Sequence, residues 1–140
     1  MTSRQIALTP ELVARAGQHI LTAMQRTPGI DAAALCALSG QCLWASDATF
    51  EHAAPTIARI GIFSLRLWVK VRTGKLDRIG LVTDEGTVDI VFVPPIASVL
   101  VASGRDAESG WLEDEPEALM EALGIPANSL LTKRTLPSQA

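Results

Sequence analysis

The chain has 140 residues, 48% of them hydrophobic and 19% charged, with 12 basic and 15 acidic side chains giving a net charge of -3. This is the size of one domain with enough apolar surface to fold, which excludes wholesale disorder. The acidic balance argues against a general nucleic-acid binder, and the longest charge-free runs, 32–46 and 90–104, fall short of the roughly 18 to 20 residues of a membrane-spanning helix.

Met1 to Gln5 is polar, and Glu11, Arg15 and His19 interrupt the stretch after it, so no secretory apolar region is expected and the location reads as cytoplasmic. Thr9 suits a helix N-cap and Pro10 the first helical position. Leu12, Ala16, Ile20 and Ala23-Met24 recur at helical spacing up to a stop at Pro28-Gly29. Two apolar runs, Ile30 to Leu38 and Gln41 to Ala45, flank Ser39-Gly40 and predict a hairpin. A two-residue turn there pairs Ala37 with Cys42 and sends the Cys36 and Cys42 thiols to opposite faces, whereas a bulged three-residue loop sets Cys36 against Cys42. The simpler turn predicts two buried, reduced thiols that do not bond. Asp47 to Ala53 is expected to be a loop.

Segment 54–73 supports two readings. Leu65 to Arg72 alternates like a strand, and its β-branched content favours one. Wound as a helix from Pro55, the segment instead places Arg59, Arg66, Lys70 and Thr73 on one narrow polar stripe. A wide apolar arc then holds Ile57, Ile60, Ile62, Leu65, Leu67, Trp68, Val69 and Val71, with Phe63 at its border. Such a helix has more to bury than one sheet face covers.

Strands are predicted at Leu76 to Thr83, Thr87 to Val93 and Ser98 to Ser103, punctuated by Asp84-Glu85-Gly86 and by Pro94-Pro95. A polar loop, 104–114, leads to a short helix, Pro116 to Leu123, stopped by Gly124. Six basic residues fall between 59 and 78 and seven acidic ones between 106 and 121, either as two solvated faces or as complementary ones. Trp111-Leu112, in the acidic loop, is either a cap over the core or a partner anchor.

No catalytic signature emerges. Gly74-Lys75 lacks the first glycine and the Ser/Thr of a phosphate-binding loop and reads as a helix C-cap, and neither G-x-S-x-G nor H-E-x-x-H occurs. His19 and His52 are single and separated, and neither sits in a zinc-ligand pattern with the two cysteines. Asp84 and Glu85 are explained by turn chemistry.

With the helical reading the element order is α-β-β-α-β-β-β-α. That order, with Pro28-Gly29-Ile30-Asp31-Ala32-Ala33-Ala34-Leu35, Ser39-Gly40-Gln41-Cys42-Leu43-Trp44-Ala45-Ser46, Gly74-Lys75-Leu76-Asp77-Arg78-Ile79 and Thr83-Asp84-Glu85-Gly86-Thr87, resembles the Roadblock / dynein light-chain domain over roughly residues 8 to 123. Pro94-Pro95 and the long acidic loop depart from the family's compact hairpin.

The resemblance implies an α+β sandwich, profilin-like, with a five-stranded antiparallel sheet and helices on both faces. Residues 1–124 would form a single domain and 125–140 a flexible tail. It also implies that segment 54–73 is a helix. Bacterial members are homodimeric, non-catalytic regulators or scaffolds of small Ras-like GTPases in signalling. They join their third strands edge to edge and lay their second helices side by side. On that pattern the dimer interface would hold Ile57, Ile60, Ser64, Leu67, Trp68, Val71, Leu76 and Arg78. The family shares no catalytic constellation, so no catalytic, cofactor or metal residue carries over. The alternative is a small-molecule-sensing or general protein-interaction domain of similar shape.

Overall fold

The computed structural model describes residues 6–71, 76, 78–105 and 115–125. Helix α1 (Pro10–Arg26) starts where the Thr9 hydroxyl accepts the Leu12 N–H, at 3.2 Å. Strands β1 (Ile30–Ala37) and β2 (Cys42–Ala45) form the hairpin, and α2 (Ala48–Val71) comes next. Strands β3 (Arg78–Val82), β4 (Thr87–Val93) and β5 (Ser98–Gly104) complete the sheet, and α3 (Glu115–Ala122) is the last element. All pairings are antiparallel in the order β2-β1-β5-β4-β3, leaving β2 and β3 as the edges.

Both sheet faces are covered, so the central strands read as continuous apolar runs. On one face α1 and α3 pack Ala16, Ile20, Leu119 and Met120 against Ala33, Leu35, Val91, Val93 and Leu100. On the other, α2 packs Phe50, Ala54 and Ala58 against Ala34, Cys36, Ile90, Phe92, Val99 and Val101. Ile125, assigned to the tail by the sequence, is buried in the first of these clusters. The rest of that tail, Gly74, the acidic loop from 106 to 114 and with it Trp111 and Leu112 lie outside the described residues.

The structure corrects three expectations. Residues 48–53 are not a loop: Asp47 caps α2, its Oδ1 accepting the Phe50 N–H at 2.7 Å, so the helix starts well before Pro55. Pro55 lies inside the helix, where its missing N–H removes one backbone bond. Pro94-Pro95 forms a 3-10 turn, Pro94–Ile96, closed by Ala97 at φ 49°.

The third correction concerns the hairpin. The Ala37 N–H donates to the Gln41 carbonyl and the Gly40 N–H to the Ala37 carbonyl, both at 2.8 Å, with Gly40 at φ +96°. This is the three-residue loop with a left-handed third position. The register places Cys36 opposite Cys42, then slips so that Trp44 faces Leu35, with Leu43 the extra residue. The slip has a packing cause. Trp44 lies against α1 so closely that a Cβ on Gly17 would collide with its indole Nε1. Strict alternation from Trp44 would turn Cys42 to that same side; the bulge returns it to the α2 side beside Cys36.

Candidate interaction surface

Helix α2 is built with its small residues inward. Ala54, Ala58 and Gly61 recur at helical spacing and are buried, and a Cβ on Gly61 would lie 2.7 Å from the Ile90 Cγ2, so the helix axis runs close to the sheet. Phe50, Ile57, Ile62 and Leu65 fill the core beside them, but other large apolar residues point the other way. Ile60 is 42% exposed, Phe63 61%, Leu67 47% and Val71 70%. These four stand at i, i+3, i+7 and i+11, a continuous stripe along the outer face. Between them the Ser64 hydroxyl donates to the Ile60 carbonyl at 2.8 Å, which satisfies it within the helix and leaves the stripe apolar.

The principal contacts of α2 are with β1, β2, β5 and β4. Among the described residues strand β3 pairs with β4 on one side only, which makes it an open edge, and Ile79 and Leu81, with Leu76 just before the strand, are half-buried on its α2-facing side. Val82, near its end, is 81% exposed. An apolar helix face and an open strand edge are thus both present among the described residues, and both leave surface that soluble monomers rarely expose.

Of the eight interface residues named from the sequence, Ile60, Leu67 and Val71 lie on the exposed stripe and Ser64 is half-buried on it. Ile57 and Leu76 pack instead against the core cluster beneath α2. Trp68 and Arg78 are half-buried, each with interactions of its own within the fold. Phe63 and Val82, absent from that set, are more exposed than most of its members. The signal for Phe63 was present as its i+3 spacing from Ile60; nothing local marks Val82.

The described residues hold little chemistry elsewhere. No group of three His, Cys, Asp or Glu side chains comes together among them as a metal site would require. His19 is not solitary. Its Nε2 meets the Glu115 Oε1 at 2.6 Å, tying α1 to α3. Burial pushes the Glu115 carboxyl up from its ordinary range, and the facing His19 and then Arg26 oppose that shift. An open groove of about 210 Å³ lies between the β3–β4 turn and the end of β5, lined by Asp31, Glu85 and Arg105 among others. Its turn is internally satisfied: the Thr83 hydroxyl accepts the Glu85 and Gly86 N–H groups and donates to the Gly86 carbonyl. No described helix is long and apolar enough to cross a membrane.

No protein-family model matches the sequence, and no curated protein matches it. Solved structures do. The chain is similar to a Roadblock/LC7 domain from Streptomyces avermitilis with a TM-score of 0.66 at 16% identity, over 77% of this chain and 93% of that one. It is similar to an MglB structure described as having a tetrameric arrangement, with a TM-score of 0.66 at 15% identity, over 87% and 94% of the two chains. It is also similar to the gliding protein MglB from Thermus thermophilus, with a TM-score of 0.65 at 15% identity, over 87% and 95%. The three-helix, five-stranded antiparallel architecture described above is the fold of the Roadblock/LC7 domain.

Proposed function

We propose that this chain is a non-catalytic, cytoplasmic homodimer that regulates or scaffolds a small Ras-like GTPase. The observation that carries the reading is the apolar stripe of Ile60, Phe63, Leu67 and Val71 together with the open edge of β3. Two copies related by a two-fold axis cover both features at once, because the same surface on each chain is its own complement. Joining the β3 edges makes one continuous sheet, and the paired α2 helices bury each other's outer faces. The similarity in fold to MglB structures supports a regulatory role, one of them having a multi-chain arrangement.

Regulation without a catalytic constellation is physically sufficient. GTP hydrolysis depends on positioning the GTPase's own water-orienting and charge-stabilising groups, so a partner that orders them raises turnover without contributing an arginine. The test begins with affinity capture from the native cytoplasm to identify the GTPase, followed by titration of that purified GTPase in its GDP- and GTP-analogue-bound forms. A defined stoichiometric complex, with or without faster turnover, is the expected result. Stoichiometric binding of nucleotide by this chain alone, or failure of every captured GTPase to bind in purified form, would overturn it.

A further inference from the structure

The β1–β2 hairpin carries a pair of thiols that the interaction surface does not use. Cys36 and Cys42 are both free, and they face each other across the two strands on the α2 side. Their rung is of the non-hydrogen-bonded kind, since the neighbouring rung carries the Ala37 N–H to Gln41 carbonyl bond. In such rungs opposed Cα atoms stand about 4.5 Å apart, within the span a disulfide bridges. The Cys42 S–H donates to the Trp44 carbonyl at 3.5 Å.

We propose that Cys36 and Cys42 form a reversible dithiol–disulfide site, oxidised by a small-molecule disulfide of the glutathione type. The two sulfurs have different roles because their surroundings differ. Cys42, on the edge strand, is partly exposed, whereas Cys36 is fully buried in β1. Cys42 therefore meets the oxidant. Its thiolate attacks one sulfur of the small disulfide, breaking that S–S bond, expelling one small thiolate and leaving a mixed disulfide on Cys42. The Cys36 sulfur then attacks the Cys42 sulfur, and its proton passes to the second departing small thiol. Two protein thiols are oxidised, one small disulfide is reduced to two thiols, and the protons balance.

The second step is intramolecular, between groups already in register, which favours it over attack by any external thiol. Burial first, and Cys42 beside it second, push the Cys36 thiol up to about 12, so ring closure accelerates as pH rises. Conversion of Cys42 to the mixed disulfide removes the second of those causes before Cys36 must ionise.

The test uses the full chain, incubated with oxidised glutathione, quenched in acid and weighed intact. Wild type should lose two hydrogen masses without retaining glutathione, and dithiothreitol should restore it. No tryptic site separates the two cysteines, so the deficit should map to fragment 27–59. The Cys36→Ala variant should hold one glutathione on Cys42, whereas Cys42→Ala should hold none while folded. Wild type that retains glutathione, links between chains, or stays fully reduced at alkaline pH with its circular dichroism unchanged would overturn the site. The wild-type fragment decides the matter even if a variant fails to fold.

Discussion

Replacing Ile60 with Glu separates the protomer from its assembly. Ile60 is already 42% exposed, so in an isolated protomer the carboxylate reaches water and the change costs within about 0.5 kcal/mol, as surface substitutions do. Across a two-fold α2 seam the same change buries two carboxylates with no counter-charge. An uncompensated buried charge costs about 3 to 5 kcal/mol, so two cost upwards of about 6. At about 1.4 kcal/mol per factor of ten, even half of that weakens association roughly 10²-fold. Sedimentation velocity across the micromolar range should show a wild-type dimer and an Ile60→Glu monomer whose circular dichroism remains that of the folded protein. A matched control is Leu21→Glu on α1, which is 37% exposed in the opposite helical layer and should leave the dimer intact. A monomeric wild type, a dimeric Ile60→Glu protein, or equal dissociation by Leu21→Glu would refute the seam.

Removing the α2 cap with Asp47→Ala should cost about 0.5 to 2 kcal/mol in chemical denaturation, whereas no loss would mean that Pro55 governs the start of the helix. Gly61→Val should destabilise by about 1 to 3 kcal/mol, because the new side chain meets the buried Ile90; an unchanged denaturation midpoint would contradict the close helix–sheet approach. Glu115 has a folded pKa raised above its ordinary 4.5, so the folded state holds that proton more tightly than the unfolded one. Its contribution to stability is therefore greatest at low pH and falls as pH rises through and above 4.5. Melting temperatures of wild type and Glu115→Gln should diverge in that direction, with wild type losing ground as pH rises; a wild type that gains ground would reverse the assignment.

The first helix was legible because its signals are local: a Thr9 cap, Pro10 at the first position and a four-residue apolar rhythm. The same logic misplaced the start of α2, since Pro55 looks like a first-turn proline and the Asp47 cap lies well before the apolar arc becomes clear. Within α2 the run 65–72 satisfies strand and helix periodicities alike. Only burial against β1 and β5 decides between them, and that information lies in the fold rather than the segment. The thiol pair turned on one extra residue at Leu43, set by the fit of Trp44 over Gly17 on another element. His19 and Glu115 lie 96 residues apart, so no spacing rule could join them.

The distribution of side-chain size around α2 carries the argument for association further than exposure alone. A helix serving only its own protomer gains most by turning its largest apolar groups inward, where each buried aliphatic or aromatic side chain contributes about 1.5 to 3 kcal/mol. Here the fully buried positions 54, 58 and 61, where the helix comes nearest the sheet, hold Ala, Ala and Gly, with Phe50, Ile57, Ile62 and Leu65 filling the core around them, while Ile60, Phe63 and Leu67 face out. The close inward approach is useful to the sheet, because it seals Ile90 and the strands beneath with little volume. It would be a poor use of Phe63 if water were its final neighbour. A helix with apolar residues on its core side and large ones on its outer face as well has the arrangement of a middle layer, one that packs on both of its sides, and β3 supplies the second element such a layer needs: an edge able to extend the sheet on which a partner's helix can rest. Substituting Phe63 should therefore weaken association more than it weakens the protomer, the opposite of what burial within one chain would give.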